Sequence, residues 1–327
     1  MKAIVISRFG GPEVLELREV PTPSPTRGDV RVRVRATAIN RADLLQRAGF
    51  YPAPPDSPQD IPGLEFAGEI DALGEGVTEW ALGDRVAGLC GGGAYAEAVV
   101  VPARTLARLP ADCSFTDGAA IPEAFITAWD AMVVQARLAA GERVLIHAAA
   151  SGVGTAAIQI ARAVGARVLG TSRSPAKLER LRPLGLDDAI PIDRDGRFAA
   201  AVMQATAGAG ADVVLELVGG SHLVEDLACV ALRGRIMLIG LMAGANAELD
   251  LRTILSRRVQ ITGTMLRSRP LEEKIAAVQQ LARHLMPLFE RGALHAVVDR
   301  VLPLAQASEA HAYVASNDSF GKVVLSV

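Results

Sequence analysis

A run of small residues, HAAASGVGTAAIQIA, joins a short apolar stretch to an apolar repeat of helical spacing. Within it, Gly152-x-Gly154-x-x-Ala157 matches the turn that brings a backbone close to a phosphate, and a second register ending at Gly154 matches too. A helix N-terminus offers free amides and a partial positive charge to such a group. Small residues at a helix start also serve close packing, so the pattern gains weight only from a strand before it and a helix after it.

A second stretch, GTSRSPAK, ends the next strand about 20 residues further on. A nicotinamide cofactor without a 2′-phosphate usually meets Asp or Glu at this point. Here Ser172, Arg173 and Lys177 stand instead, and a hydroxyl with two cations suits the 2′-phosphate of NADP(H). The alternative that stays open is a solvated loop, in which Ser174 and Pro175 open a helix.

A third candidate is Glu65 in IPGLEFAGEI, a carboxylate between glycines and apolar side chains. It suits a metal site, an acid or base, or a structural hydrogen-bond acceptor. The three cysteines, Cys90, Cys113 and Cys229, are widely spaced without a CxxC pair. This spacing argues against a disulfide framework and against a structural zinc site.

The first hundred residues read as strands and turns, and we expect an all-β, barrel-like unit. Residues 30–38, VRVRVRATA, alternate with period two, which predicts a strand with one buried and one solvated face. More strands are expected in GEIDALGEG, DRVAGL and AYAEAVVVP. Residues 51–62, YPAPPDSPQDIP, are too rich in proline for an interior strand and predict a stiff surface loop.

From about Ile121 strands and helices alternate, and the strands are apolar on both sides. This pattern indicates a parallel sheet covered on both faces, a doubly wound α/β domain. One helix should run from Val153 to its end at Gly165. An amphipathic helix over about 271–290 and the late strands DRVLPL and GKVVLSV follow. Because these strands can return to the first unit, we expect domains at 1–121 with 265–327 and at 122–264.

The composition excludes several classes of function. The 327 residues are 50% hydrophobic and 21% charged, as in a globular protein, with 34 basic and 36 acidic residues and a net charge of -2. No global field therefore attracts nucleic acid or anionic lipid. No window approaches the roughly 20 apolar residues of a membrane span. We expect a cytoplasmic protein with a small-molecule partner.

Several segments together resemble the medium-chain dehydrogenase/reductase superfamily. They are NRADLLQRAGFY, IPGLEFAGEI, GGGAYAEA, IPEAFITAWDAM, VLIHAAASGVG, GLM and GKVVLSV. The pattern is similar to the zinc-independent quinone oxidoreductases, most of all to the subgroup typified by the tumour-suppressor-induced quinone oxidoreductase, through NRADL, IPEA, HAAASGVGTAAIQ and TMLRSR. The resemblance implies a GroES-like β-barrel substrate domain, a Rossmann domain that binds NADPH, and a homodimer.

The resemblance also bears on Glu65. In the zinc alcohol dehydrogenases of this superfamily a metal-binding histidine stands where this chain has Leu64, and leucine cannot ligate zinc. No cysteine lies near position 40, and the four-cysteine lobe is missing. We therefore expect no metal at the catalytic or structural zinc positions, and we expect Glu65 to be a scaffold carboxylate that accepts backbone amides.

The resemblance assigns roles to particular residues. Asn40, Asp43 and Tyr51 are expected near the nicotinamide and the substrate, although Tyr51 serves equally well as an anchor of the proline-rich loop. His147 is expected to be a hydrogen-bonded core residue, and Ile192 or a neighbour replaces a tyrosine common in the family. The expected cofactor contacts are Thr127, Ser151, Gly152, Val153, Ser172, Arg173, Lys177, Gly240, Leu241, Leu266 and Lys322.

The expected function is reduction of a quinone by NADPH without a metal. Two alternatives remain at this point: an enone or alkenal double-bond reductase, and a non-catalytic NADPH-binding, RNA-binding or structural protein. The near-zero net charge weighs against RNA. The homodimer is expected to form by edge pairing of VQITGTM, an apolar strand whose exposure would otherwise promote aggregation.

Overall fold

A computed structural model describes residues 1–192 and 195–327. Residues 1–126 and 266–327 form one compact unit, and residues 127–265 form a second. The boundaries expected from the sequence lie after residue 121 and before residue 265. The first unit is thus built from both ends of the chain.

The strands of the described residues are numbered in chain order. They are β1 Lys2–Ile6, β2 Leu15–Glu19, β3 Asp29–Ala38, β4 Glu65–Leu73, β5 Arg85–Leu89, β6 Ala98–Pro102, β7 Leu106–Arg108, β8 Arg143–Ile146, β9 Arg167–Ser172, β10 Asp188–Pro191, β11 Ala211–Glu216, β12 Val230–Leu238, β13 Gln260–Gly263, β14 Val298–Pro303 and β15 Lys322–Ser326.

The α-helices follow the same order. They are α1 Arg41–Arg47, α2 Phe115–Ala119, α3 Pro122–Trp129, α4 Gly152–Val164, α5 Pro175–Leu181, α6 Ala199–Ala205, α7 His222–Cys229, α8 Leu251–Arg257, α9 Leu271–Gln280, α10 Met286–Glu290 and α11 Ala307–Ala315. Among the described residues, no helix has the length and apolar character that crossing a membrane requires.

The first unit contains a seven-stranded sheet in the order β14-β15-β3-β4-β5-β7, with β6 also paired to β3. The C-terminal strand β15 runs antiparallel to β3, with Val324 opposite Ala38. The last strand of the chain therefore pairs with a strand from its first forty residues. The prediction that the first hundred residues are all-β is wrong, because the short helix α1 lies among them.

Strand β3 shows why the alternation in the sequence was informative. Val30 and Val32 are fully buried. On the opposite face Arg31 forms an ion pair with Asp71 at 2.8 Å. The predicted solvated strand face is confirmed, and part of it is neutralised by neighbouring carboxylates rather than offered to a ligand.

The second unit is a six-stranded sheet in the order β10-β9-β8-β11-β12-β13, and every pairing in it is parallel. Counted from β8, this is the order 3-2-1-4-5-6 of the dinucleotide-binding fold. Its central strands bury Leu145, Leu169 and Val214 completely. Helix α4 ends where predicted, at Gly165, whose φ of +88° is the left-handed conformation that favours glycine.

The predicted helix over 271–290 is present but interrupted. Helix α9 ends at Gln280, a π-helical turn covers Leu281–Leu285, and α10 begins at Met286. Pro287 stands in the first turn of α10, where its missing amide hydrogen removes an intrahelical bond. The π-helical turn changes the hydrogen-bond register just before this proline and so accommodates the missing bond.

Candidate functional site

The turn after β8 has the geometry of a phosphate-binding site. Ser151 caps α4, and its Oγ accepts a hydrogen bond from the Gly154 amide at 3.1 Å. A Cβ on Gly154 would lie 2.5 Å from the Ala149 carbonyl oxygen, so this glycine permits a tight strand-to-helix turn. The half-buried Gly152 and Val153 begin the helix, where backbone amides have no intrahelical acceptor. The arrangement fits a diphosphate.

The end of β9 combines a helix start with two cations. Ser172 is the last residue of the strand, and its Oγ accepts a hydrogen bond from the Ser174 amide at 3.1 Å. Ser174 caps α5 by accepting from the Lys177 amide. Arg173 is exposed and Lys177 is half-buried. The loop therefore opens a helix and also places both cations at the strand end, so the two interpretations of GTSRSPAK are compatible.

Gly240 lies where the loops after β11 and β12 approach each other. Its amide donates to the Glu216 carbonyl at 3.3 Å, and a Cβ there would lie 2.3 Å from the Leu217 carbonyl oxygen. The next residue, Leu241, is 51% exposed. Like the turn after β8 and the end of β9, this loop follows the carboxyl end of a parallel strand, where ligands of such sheets bind.

Thr127, in α3, is half-buried.

In the first unit Glu65 is a structural carboxylate. It is fully buried. Oε2 accepts the Glu123 amide at 2.7 Å, and Oε1 accepts Asn40 Nδ2 at 2.9 Å and pairs with Lys322 Nζ at 2.6 Å. Lys322 Nζ also donates to the Ile39 carbonyl at 3.0 Å and to Asn40 Oδ1 at 2.7 Å. The expected scaffold role is confirmed, and the cationic partner is an addition that the sequence did not reveal.

Asn40 and Asp43 belong to the same buried network. They form a reciprocal capping box at the start of α1, in which the Asn40 amide donates to Asp43 Oδ2 at 2.8 Å. Tyr95 donates its hydroxyl to the same oxygen at 3.1 Å, and that hydroxyl lies 3.1 Å from His311 Nε2. Burial raises the pKa of Asp43 to about 6. A catalytic role for Asn40 and Asp43 stays a prediction.

Tyr51 lies against an arginine that the sequence analysis did not single out. The Arg267 guanidinium is 5.2 Å from the Tyr51 ring centroid, and it donates to the Tyr51 carbonyl at 3.2 Å and to the Gly91 carbonyl at 2.8 Å. Burial raises the pKa of the Tyr51 phenol. The segment TMLRSR contains Arg267 and its buried neighbour Leu266, and it was the only signal available in the sequence.

Glu123 is a second residue that the sequence analysis missed as a functional candidate. It stands in the first turn of α3 and is half-buried. Burial, and next the negative charge of Glu65, raise the pKa of the Glu123 carboxyl to about 8. The group is therefore mostly protonated at neutral pH, whereas an ordinary glutamate is ionised. In the sequence, Glu123 was visible only as part of the segment IPEA, one of those that carry the family resemblance.

His147 is a hydrogen-bonded core residue, as expected. It is fully buried, with Nδ1 at 2.8 Å from Thr171 Oγ1 and Nε2 at 2.7 Å from Asp226 Oδ1. Ile192, expected in place of a family tyrosine, packs against the core of the second unit. Its neighbours 193 and 194 lie outside the described residues.

The residues at the catalytic zinc position of the zinc alcohol dehydrogenases do not fit that metal. Leu64 is fully buried and has no ligand atom, and Asn40 stands in the region where a cysteine is needed. The Asn40 side chain is engaged by Lys322 and Glu65. No step of the chemistry can therefore be assigned to zinc at that position.

A parallel sheet in dinucleotide-binding order with a capped glycine turn, together with a mostly antiparallel domain built from both chain ends, defines a medium-chain dehydrogenase or reductase. Residues 26–111 match the alcohol dehydrogenase GroES-like domain, and residues 152–283 match the zinc-binding dehydrogenase family. The chain belongs to the quinone oxidoreductase family of the medium-chain dehydrogenase/reductase superfamily, and it is an oxidoreductase.

Quinone oxidoreductases and polyketide synthases are among the proteins similar to this chain. Quinone oxidoreductases from Pseudomonas aeruginosa and Lama guanicoe are 36% and 35% identical over 99% of this chain, and the matches cover 99% and 97% of those proteins. Polyketide synthase GfsB from Streptomyces halstedii is 38% identical over 92% of this chain, which spans only 5% of that protein.

Two solved structures show the same fold. Escherichia coli quinone oxidoreductase complexed with NADPH has a TM-score of 0.89 at 28% identity, with 100% of both chains covered. The CurK enoyl reductase has a TM-score of 0.86 at 29% identity, with 99% of this chain and 98% of that chain covered.

Proposed function

We propose that this protein reduces quinones with NADPH. One observation carries the proposal. The chain has a turn that fits a phosphate at the start of α4, and it has Leu64 where its zinc-dependent relatives have a metal ligand. Full-length similarity to proteins named quinone oxidoreductases supports it. The balanced reaction is the transfer of a hydride from NADPH and a proton to a quinone, which yields NADP⁺ and a hydroquinone.

The residues of the second unit would hold the cofactor in two places. The amides of Gly152 and Val153 would bind the diphosphate at the start of α4. Ser172, Arg173 and Lys177 would bind the 2′-phosphate, because a hydroxyl and two cations stand where NADH-dependent proteins of this fold carry an acid. The bound cofactor would supply the hydride. The remaining proposed contacts are Thr127, Ser151, Gly240 and Leu241 of the second unit and Leu266 and Lys322 of the first.

The acceptor must be electrophilic without help from a metal at Leu64. A quinone meets this condition, since its reduced form delocalises the added charge into an aromatic ring. The protein then needs mainly to orient the acceptor. In the first unit, the network of Asn40, Asp43, Glu65 and Lys322 provides rigid support, because its polar atoms bond to one another.

Glu123 and Tyr51 are the proposed sources of the proton. A general acid works best with a pKa near the operating pH. The Glu123 carboxyl, with its pKa raised to about 8, meets this condition better than the Tyr51 phenol, whose pKa is raised above its ordinary value of 10.0. Water is the third possible source.

The cofactor assignment is tested with the double variant R173A/K177A. The KM for NADPH should rise about 10-fold to 100-fold while the KM for NADH changes little, because only NADPH carries the 2′-phosphate. R180A, which removes an exposed cation at the other end of α5, is the matched control. An unchanged preference for NADPH in the double variant would show that the 2′-phosphate binds elsewhere.

The proton assignment is tested with E123Q. Loss of a general acid should lower kcat by about 100-fold or more and should remove the decline in rate above pH 8. E290Q, at an exposed glutamate of α10, is the control and should keep the wild-type pH profile. If E123Q keeps that profile with a full rate, the proton comes from Tyr51 or water.

A second candidate function is reduction of an enone double bond. It is favoured by the 38% identity to a polyketide synthase and by the fold shared with the CurK enoyl reductase. Parallel assays of NADPH consumption with a panel of quinones and a panel of enones separate the two. The class of acceptor with the higher kcat/KM identifies the activity.

The proposal includes a homodimer joined at β13. All four residues of this strand, Gln260–Gly263, are exposed, and β13 is the last strand of its sheet. An exposed edge of unpaired amides and carbonyls can pair with the same edge of a second copy. Light scattering should give the mass of a dimer, and I261K should shift it towards the monomer.

A further inference from the structure

Four ionisable side chains meet inside the second unit, and the reaction proposed above uses none of them. This core cluster consists of His147, Glu216, His222 and Asp226, which are 0%, 0%, 8% and 0% exposed. His147 follows β8 and Glu216 ends β11, whereas the other two belong to α7. His222 and Asp226 are four residues apart and therefore lie on one face of that helix.

Three atoms of the core cluster have no hydrogen-bond partner among the described residues. They are Glu216 Oε2, Asp226 Oδ2 and His222 Nδ1. The other oxygen of Glu216 is satisfied, since it accepts the amides of Val218 and Gly219. Within residues 1–192 and 195–327, no lysine or arginine forms an ion pair with the carboxylate of Glu216 or Asp226. Buried polar atoms without partners are costly, so three in one place indicate a missing occupant.

The atoms converge on one point. His147 Nε2 and His222 Nδ1 lie 3.7 Å and 3.9 Å from Glu216 Oε2. His147 Nε2 is 2.7 Å from Asp226 Oδ1, and one ligand atom from each of His147, Glu216 and His222 lies within 4.8 Å of the other two. Ligands of a tetrahedral zinc ion, at bonds near 2.1 Å, are about 3.4 Å apart. The two distances from Glu216 Oε2 are within about 0.5 Å of that value, whereas His147 Nε2 and Asp226 Oδ1 would have to move apart by about 0.7 Å to admit the ion.

We propose that the core cluster binds one divalent transition-metal ion, with His147 Nε2, Glu216 Oε2 and His222 Nδ1 as ligands and Asp226 as the fourth. Two imidazoles with carboxylates suit Zn²⁺ or Co²⁺. The ion ties β8, β11 and α7 together, and its role is structural. This set of ligands is separate from the catalytic zinc position at Leu64, which has no ligand atom.

A shared proton explains the core cluster less completely. A proton between the Glu216 and Asp226 carboxyl groups, which contact each other, satisfies that pair. It leaves His222 Nδ1 without a partner. A metal ion engages both carboxylates and both imidazoles at once, and it replaces the hydrogen bond between His147 and Asp226 with two metal–ligand bonds.

Thr171 supports the assignment of His147 as a ligand. Its Oγ1 lies 2.8 Å from His147 Nδ1, so that nitrogen can donate its proton to the hydroxyl and leave Nε2 unprotonated. Metal-binding histidines usually make a hydrogen bond of this kind with their second ring nitrogen. The threonine therefore selects the tautomer that binds a metal.

The test uses the whole chain, freed of metal with a chelator and then titrated with Zn²⁺ in a calorimeter and with Co²⁺ in a spectrophotometer. One ion per chain should bind, Co²⁺ should develop the visible bands of a tetrahedral site, and Zn²⁺ should raise the Tm. H222Q should weaken Zn²⁺ binding at least about 100-fold, and H295Q, at an exposed histidine, should not change it.

A second variant keeps every ligand and guards against misfolding. T171V removes only the hydroxyl beside His147 Nδ1, and it should weaken Zn²⁺ binding about 10-fold to 100-fold with cooperative unfolding retained. The proposal is overturned if the wild-type chain takes up no stoichiometric Zn²⁺. It is also overturned if both H222Q and T171V, folded, bind Zn²⁺ as tightly as the wild type.

Discussion

Two buried polar groups of this protein differ in how their charges are balanced. In the first unit, the network around Glu65 combines carboxylates with the Lys322 ammonium, a backbone amide and an asparagine amide. In the second unit, the carboxylates of Glu216 and Asp226 contact each other and lie beside two imidazoles in the core cluster. Both are largely buried, but only the first contains a permanent cation among its own side chains.

The difference teaches what each group can do. A buried carboxylate with a cation and matched donors is a fixed part of the scaffold, and removing one member leaves an uncompensated charge. A buried carboxylate that faces other acceptors remains ready for a proton or a metal ion. The first arrangement explains why Asn40 and Asp43 are held rigidly; the second suggests a binding site.

The largest expected effect comes from breaking the first arrangement. K322M should lower the free energy of unfolding by about 3 to 5 kcal/mol, because Glu65 would remain buried without its cation. Denaturant unfolding of the purified variant measures this change.

R104M is the control for K322M. Arg104 pairs with Glu272 at 2.8 Å, a similar distance, but the two side chains are 58% and 70% exposed. Its loss should cost only about 0 to 1 kcal/mol. Equal costs for the two variants would contradict the argument that burial gives the Glu65 pair its importance.

A smaller effect concerns the histidine at the far end of the first network. Burial, and next the charge of Arg47, lower the pKa of His311 to about 3. Below its unfolded pKa near 6.5 the unfolded chain binds a proton that the folded chain does not, so stability is lost as the pH falls from 6.5 towards 3. H311Q should remove a slope of about 1.4 kcal/mol per pH unit from that window.

The measurement is the free energy of unfolding of wild type and H311Q between pH 7 and pH 5. The difference between them should change steadily as the pH falls. H295Q, at an exposed histidine, should leave the wild-type slope intact. A pH-independent difference for H311Q would mean that His311 carries a proton in the folded protein.

The smallest effect is expected in the core cluster. E216Q, measured in the presence of a chelator, should change the free energy of unfolding by only about 0.5 kcal/mol or should stabilise the fold. The introduced amide would keep an oxygen that accepts the backbone amides of Val218 and Gly219. Its NH2 group would donate to the buried atoms of the core cluster that have no hydrogen-bond partner. Chemical unfolding in chelator measures it, and a loss as large as that of K322M would remove the contrast between the two groups.

The sequence predicted most of the fold because its signals are local. The alternation of β3, the apolar strands of the parallel sheet and the end of α4 at Gly165 all follow from periodicity and backbone preference. The phosphate-binding turn is equally local, since its strand, glycines and helix are contiguous. Helix α1 was obscured among strands because only seven residues form it.

The residues that the sequence missed are those whose partners are distant in the chain. Arg267 contacts Tyr51 and Gly91, and the environment of Glu123 depends on Glu65. No periodicity links such positions. Their segments, TMLRSR and IPEA, were visible in the sequence, but a shifted pKa or a stacked guanidinium arises only when the chain folds.

By itself, the sequence determined most of the element types, the doubly wound sheet and the lack of a zinc ligand at Leu64, because these depend on residue type and short-range spacing. The tertiary structure alone decided which buried charges are balanced. Lys322 reaches Glu65, and Asp226 meets His147, from far along the chain. Whether a carboxylate becomes scaffold or binding site depends on the charges that folding brings around it, because burial removes the water that would otherwise stabilise it.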